Sequence, residues 1–122
     1  MQRSCIALAK HEFTLLEEVD NQLDYAEVYL QLKPNCIAVD DNWLERIWQQ
    51  FAEIPSYIHS LQRPGQGFNV YGVTLFPPAS LSRIAAVCTN IPGFQQDQEG
   101  TTFLNLLHEG MVQNSYLLHY GI

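Results

Sequence analysis

The chain has 122 residues, 47% of them apolar and 16% charged, which is enough for one packed domain and too apolar for a disordered segment. No apolar run approaches the roughly 20 residues needed to span a bilayer. The formal charge of −7, from thirteen acids against six Lys and Arg, argues against a grip on nucleic acid, which rests on basic side chains neutralising phosphates, and favours steering toward a basic partner.

At the start, "MQRSCIALAKHEF" has an apolar stretch only from Cys5 to Ala9, too short for a signal-peptide core and followed by no cleavage site, so a cytoplasmic protein is expected. Residues 4–9 read as a short strand, with the lead-in to a helix as the alternative. From Glu12 to Leu32, Leu16, Val19, Leu23, Ala26 and Leu30 recur at steps of three and four, which predicts a helix with one apolar stripe, ended at Lys33 and Pro34. Residues 36–39 read as a short buried strand. Asn42 followed by Glu45 forms a capping-box pattern, and Leu44, Ile47, Trp48 and Phe51 continue it as a helix over 43–53. Pro55 interrupts, and Ser56 is placed as the cap of a short helix reaching Gln62.

Residues 68–76 are predicted as a strand. The glycines nearby invite comparison with a phosphate-binding loop, but such loops follow a strand and run directly into a helix. Gly65 and Gly67 precede this strand, and the strand-to-helix junction, "PPASLS", holds neither glycine nor lysine. Gly72 is expected to mark a bulge or a close backbone approach. Pro78 suits a first helical turn and Ser80 its cap, giving a helix over 80–89 with Leu81, Ile84, Ala85 and Cys88 inward. Residues 90–100 form a polar loop. Thr101 or Thr102 then caps a helix carrying Phe103, Leu104, Leu107 and Met111. The closing "SYLLHYGI" is a strand tied into a sheet. The expected fold is α+β, a single domain over residues 1–122, with four or five helices packed on a small sheet of three or four strands.

Chemistry is sparsely signalled. His11, His59, His108 and His119 show no metal-ligand spacing, so no metal or other cofactor is expected. No serine lies in a nucleophile-elbow context. Cys5, Cys36 and Cys88 are odd in number and flanked by apolar residues, the pattern of buried free thiols, which are inert. The reading is a protein that is not an enzyme. Its most informative feature is a row of carboxylates beside the predicted stripe: Glu17, Asp20, Asp24 and Glu27, with Glu18 adjoining. No Lys or Arg lies between Lys10 and Lys33 to relieve them. Like charges one turn apart cost a few tenths of a kcal/mol each, so the row is either a solvated face or a docking surface for a basic partner. Asp40, Asp41 and Glu45 are the next candidates for that surface. Tyr25, Tyr29, Trp43 and Trp48 lie in the same acidic half and are residue types favoured at interfaces, with Trp48 better suited to the core than Trp43.

The cadence "YGVTLFPPASLSRIAAV", then "FLNLLHEGM", then "YLLHYGI", over about residues 70–122, resembles small immunity proteins of bacterial polymorphic-toxin systems, including those of contact-dependent growth inhibition. The resemblance implies a cytoplasmic, non-catalytic protein that neutralises a cognate toxin by binding it and occluding its active site. Such toxins are often nucleases with basic clefts, which an acidic inhibitor would meet by electrostatic complementarity. Two other readings stand beside it. One is a small enzyme with a site assembled from His108, His119 and Glu109. The other is a subunit or adaptor of a larger complex, joined through an apolar face.

Overall fold

A computed structural model describes residues 10–121. The described residues fold as α+β around an open sheet of six antiparallel strands in the order β2-β1-β6-β5-β3-β4. The strands are β1 (Lys10–Leu16), β2 (Ile37–Asp40), β3 (Pro55–Ile58), β4 (Pro64–Gln66), β5 (Val73–Phe76) and β6 (Tyr116–Tyr120). Four α-helical segments accompany them: α1 (Tyr29–Leu32), α2 (Asp41–Ile47), α3 (Leu81–Thr89) and α4 (Gln98–Gln113). The class is as expected, while the sheet has more strands than the three or four predicted. The strand predicted at 4–9 lies outside the described residues.

Both faces of the sheet are covered, and period-2 alternation sorts the side chains between them. Along β6, Leu117 enters a core with Phe13, Phe76, Ile84, Phe103 and Leu107, beneath α3 and α4. Leu118 and Tyr120 enter a smaller core on the opposite face, with Tyr25, Val73 and Leu75. β6 pairs with β1 through Phe13↔His119 and with β5 through Thr74↔His119. The terminal strand is therefore internal to the sheet, which is why it does not fray.

The largest correction falls on residues 12–32, which are not one helix. Lys10–Leu16 is a strand, followed by an irregular segment, a 3-10 turn at Tyr25–Val28 and the single turn α1. The predicted stripe is instead divided among elements: Leu16 from β1 and Val19 and Leu23 from loop positions pack against the small core, and Leu30 is exposed. The apolar spacing recorded burial under a sheet, not helical periodicity. Other differences are local. The α2 cap is Asp40, whose side chain accepts from the Asn42 N–H, and α2 passes into a 3-10 turn at Trp48–Phe51. Ser56 lies in β3 and donates to the Gly67 carbonyl (2.8 Å) instead of capping a helix. Ser80 likewise donates to the Pro55 carbonyl (2.8 Å). Strand β5 begins only at Val73, so Gly72 sits in the preceding turn, with Gly67 at φ 70° turning the chain before it. A Cβ at Gly72 would stand 2.2 Å from the Asn69 side-chain nitrogen, so it is a side chain that crowds this glycine, while its carbonyl accepts the Gly121 N–H at 2.7 Å. Residues 90–100 are not merely a polar loop: Ile91 and Phe94 are buried there, and Asp97, not Thr101 or Thr102, caps α4.

Candidate functional site

Strand register brings two histidines together. His11 and Phe13 lie two apart on β1 and face the helix-covered side, and His119 is the register partner of Phe13. The His11 Nδ1 and His119 Nε2 atoms are 2.8 Å apart, with the rings stacked at 5.0 Å between centroids. Both residues are buried. Asp40 ends β2 and at once caps α2, so Asp41 enters the first helical turn directly above β1. There its Oδ1 lies 2.7 Å from His11 Nε2. At the other end, His119 Nδ1 lies 3.2 Å from Thr74 Oγ1, which accepts the Asn69 N–H at 2.8 Å.

Donor and acceptor chemistry orders this chain. An ionised Asp41 only accepts, so with both rings neutral His11 carries its hydrogen on Nε2 and accepts at Nδ1. His119 then donates from Nε2 and accepts at Nδ1 from the Thr74 hydroxyl. Every ring nitrogen is engaged. Burial and the adjoining His11 ring push the His119 pKa well below its ordinary value, which holds that imidazole neutral. One end of this hydrogen-bonded series, Asp41, lines a surface cleft of about 260 Å³, and Asn69 at the other end lies in sequence between the cleft residues Phe68 and Val70. Leu44, Glu45 and Trp48 of α2 and its 3-10 extension line one side, Phe68, Val70 and Tyr71 the other, with His11 and Asp41 between. The Asp41 side chain is only 22% exposed, and its Oδ2 has no hydrogen-bond partner among the described residues.

The predicted acidic surface divides into three groups. Glu17, Asp20 and Glu27 are exposed on the segment between β1 and α1, where no helix aligns them in a row, and Asp20 accepts from the Gln22 N–H (2.9 Å). Asp24 caps the 3-10 turn through the Ala26 N–H (2.9 Å) and approaches His59 Nδ1 (3.2 Å). Asp40 is engaged in capping α2, beside a Lys10–Glu99 ion pair. Only Asp41 and Glu45 share a cleft. The two tryptophans exchange their expected places: Trp43 packs on Phe94 at 5.1 Å between centroids, while Trp48 is 43% exposed at the cleft.

The other candidate chemistry is dispersed. His108 and Glu109 are exposed on α4, whereas His119 is wholly buried in the sheet, so these three do not form a site. Among the described residues no group of three His, Cys, Asp or Glu is placed to hold a metal ion. Cys36 is half-buried and Cys88 buried, both free, and burial pushes their thiols up to about 11 and about 12. Sequence reasoning missed the role of His11, Thr74 and His119, which are distant along the chain and carry no local motif. Their one signal was a histidine inside each of two apolar strands. No helix among the described residues is long and apolar enough to cross a membrane. The chain matches no protein-family description, and no characterised protein or solved structure is significantly similar to it.

Proposed function

We propose that this chain is a binding inhibitor of the immunity type, acting in the cytoplasm, which neutralises a basic protein toxin by occluding it with the face that carries the Asp41 cleft. The toxin class rests on the resemblance of residues 70–122 to immunity proteins. The observation that carries docking at this face is the cleft itself, where two carboxylates, Asp41 and Glu45, adjoin the exposed aromatic rings of Trp48 and Tyr71. Aromatic anchors with nearby charge are the composition of energetically dominant interface residues. Binding is favoured over catalysis because the ring nitrogens of His11 and His119 are all engaged internally, which leaves no imidazole lone pair facing the cleft for general-base work.

Co-expression tests the reading. Cells producing the C-terminal domain of a secreted toxin encoded immediately upstream are expected to survive when this chain is present. A Glu45→Lys, Trp48→Ala variant alters only exposed side chains and is expected to lose protection, with affinity reduced about 100-fold. Charge reversal at Glu17, Asp20 and Glu27 is expected to preserve protection. Protection by neither wild type nor variant ends the immunity reading; full protection by both moves the docking surface elsewhere.

A further inference from the structure

Resting on that docking reading, the geometry points to the occupant of the cleft: we infer that it receives a single arginine side chain of the partner protein, its guanidinium on Asp41 Oδ2 and Glu45 and its plane against Trp48 and Tyr71. At about 260 Å³ the cleft is smaller than the roughly 300–1,000 Å³ of small-molecule pockets, a size suited to one inserted side chain. Its chemistry selects the class. Leu44, Phe68 and Val70 offer an apolar lining for an alkyl stem, and the acids meet a positive head.

Arginine fits better than lysine. A guanidinium is planar, bonds carboxylates through a fork of N–H groups and stacks on aromatic faces, whereas an ammonium is a compact and strongly hydrated charge. Among the described residues no Lys or Arg lines the cleft. Lys10 is paired with Glu99, and Arg46 lies over the Trp43 ring at 4.8 Å, with its Nη2 3.4 Å from the Pro92 carbonyl.

The buried chain explains how the receptor is held ready. Burying two imidazoles in an otherwise apolar core is costly unless each is fully hydrogen-bonded, as these are. The chain runs from the backbone of Asn69, next to the Val70–Tyr71 wall, through Thr74, His119 and His11 to Asp41 on the α2 wall. It thereby fixes one carboxylate oxygen of Asp41 and leaves the other for the guest. His11, His119 and Thr74 are positioning residues for that oxygen.

The test uses the full chain and three blocked tripeptides, Gly-Arg-Gly, Gly-Lys-Gly and the neutral isostere with citrulline at the centre, followed by ¹H–¹⁵N NMR. The arginine peptide is expected to shift the Trp48 indole N–H and the Val70 and Tyr71 amides with saturation. Lysine should bind several-fold more weakly, and citrulline should leave these signals in place. Glu45→Gln and Trp48→Ala, both exposed, should each weaken arginine binding at least about threefold, and Asp41→Asn at least about tenfold. If Asp41→Asn fails to fold, the first two variants decide alone. Equal shifts from arginine and citrulline overturn the inference, as do shifts confined to the Glu17–Glu27 segment. Loss of cell protection by Glu45→Lys, Trp48→Ala without any arginine-peptide binding overturns the occupant and leaves the docking reading standing. Arginine binding at the cleft, with protection untouched by that variant, supports the occupant and removes the docking reading.

Discussion

His119 is wholly buried, and each of its ring nitrogens has one partner, His11 on one side and Thr74 on the other. Its pKa is depressed in the folded protein, first by burial and then by the His11 ring, so it stays neutral where an unfolded histidine, near 6.5, would take a proton. The unfolded state therefore binds more protons in this range. Stability from this group is complete above about 6.5 and is lost as pH falls toward the lower folded pKa. Chemical denaturation at pH values from about 7.5 down to about 5 is expected to show a falling midpoint for the wild type. In His119→Leu the slope over that range should flatten. The same variant should lose about 1–3 kcal/mol at neutral pH, because it leaves His11 Nδ1 and the Thr74 hydroxyl without their partner. An unchanged slope in His119→Leu would place the pH dependence in the carboxylates instead. A further readout separates positioning from packing: with Asp41 no longer braced through His11, arginine-peptide affinity should fall even under conditions where the variant is fully folded.

At the scale of elements, α4 shows how close approach outweighs local propensity. Gly100 lies in its first turn, and a Cβ built there would stand 1.9 Å from the Phe94 carbonyl oxygen. Alanine is better than glycine inside a helix by about 1 kcal/mol, so propensity alone predicts that Gly100→Ala stabilises. The backbone contact should win, since overpacking typically costs about 1–3 kcal/mol. Urea titration is expected to give a net loss for Gly100→Ala, against a change within about 0.5 kcal/mol for exposed Thr102→Ala. A stabilised Gly100→Ala would show that the 3-10 turn formed by Phe94–Gln96 yields freely. The elements legible in the sequence share one property, a pattern contained within a single element. α3 packs one face, through Leu81, Ile84 and Cys88, and its spacing predicts it. β2 and β6 are short apolar runs bounded by breakers. Residues 12–32 failed because the apolar positions of the predicted stripe come from several elements, Leu16 at the end of β1, Val19 and Leu23 in the loop after it, Ala26 in the 3-10 turn and Leu30 exposed on α1. Read as one series, these imitate a helical stripe. Strand β3 was hidden for a different reason, because Ser56 looks like a helix cap while its hydroxyl satisfies the Gly67 carbonyl across the sheet. For the site, Asp41 and Glu45 were identifiable as acids on α2, but the cleft needed β1, β5 and β6 in register, a relation no local spacing records.

At the scale of the whole molecule, charge and shape divide the work of binding. Thirteen acids against six bases give a field that extends beyond any one contact, and ten of those acids lie in residues 1–60. Glu17, Asp20 and Glu27 are exposed and do not share the cleft with Asp41 and Glu45, so they contribute to that field without contacting a guest seated there. Long-range attraction governs how often a basic partner arrives, while the seated side chain governs how long it stays. The two should separate in kinetics. Association with the toxin domain is expected to slow at least about tenfold as salt rises from about 0.05 to 0.5 M, since screening shrinks to a few ångströms across that range. Neutralising Glu17, Asp20 and Glu27 together should lower the on-rate and its salt slope while leaving dissociation nearly unchanged. Trp48→Ala should do the opposite, accelerating dissociation at least about tenfold with the salt slope intact. Surface plasmon resonance over a salt series resolves both rates. An association rate indifferent to ionic strength would mean that the partner is not read by charge, and docking would then rest on the aromatic rim of the cleft alone.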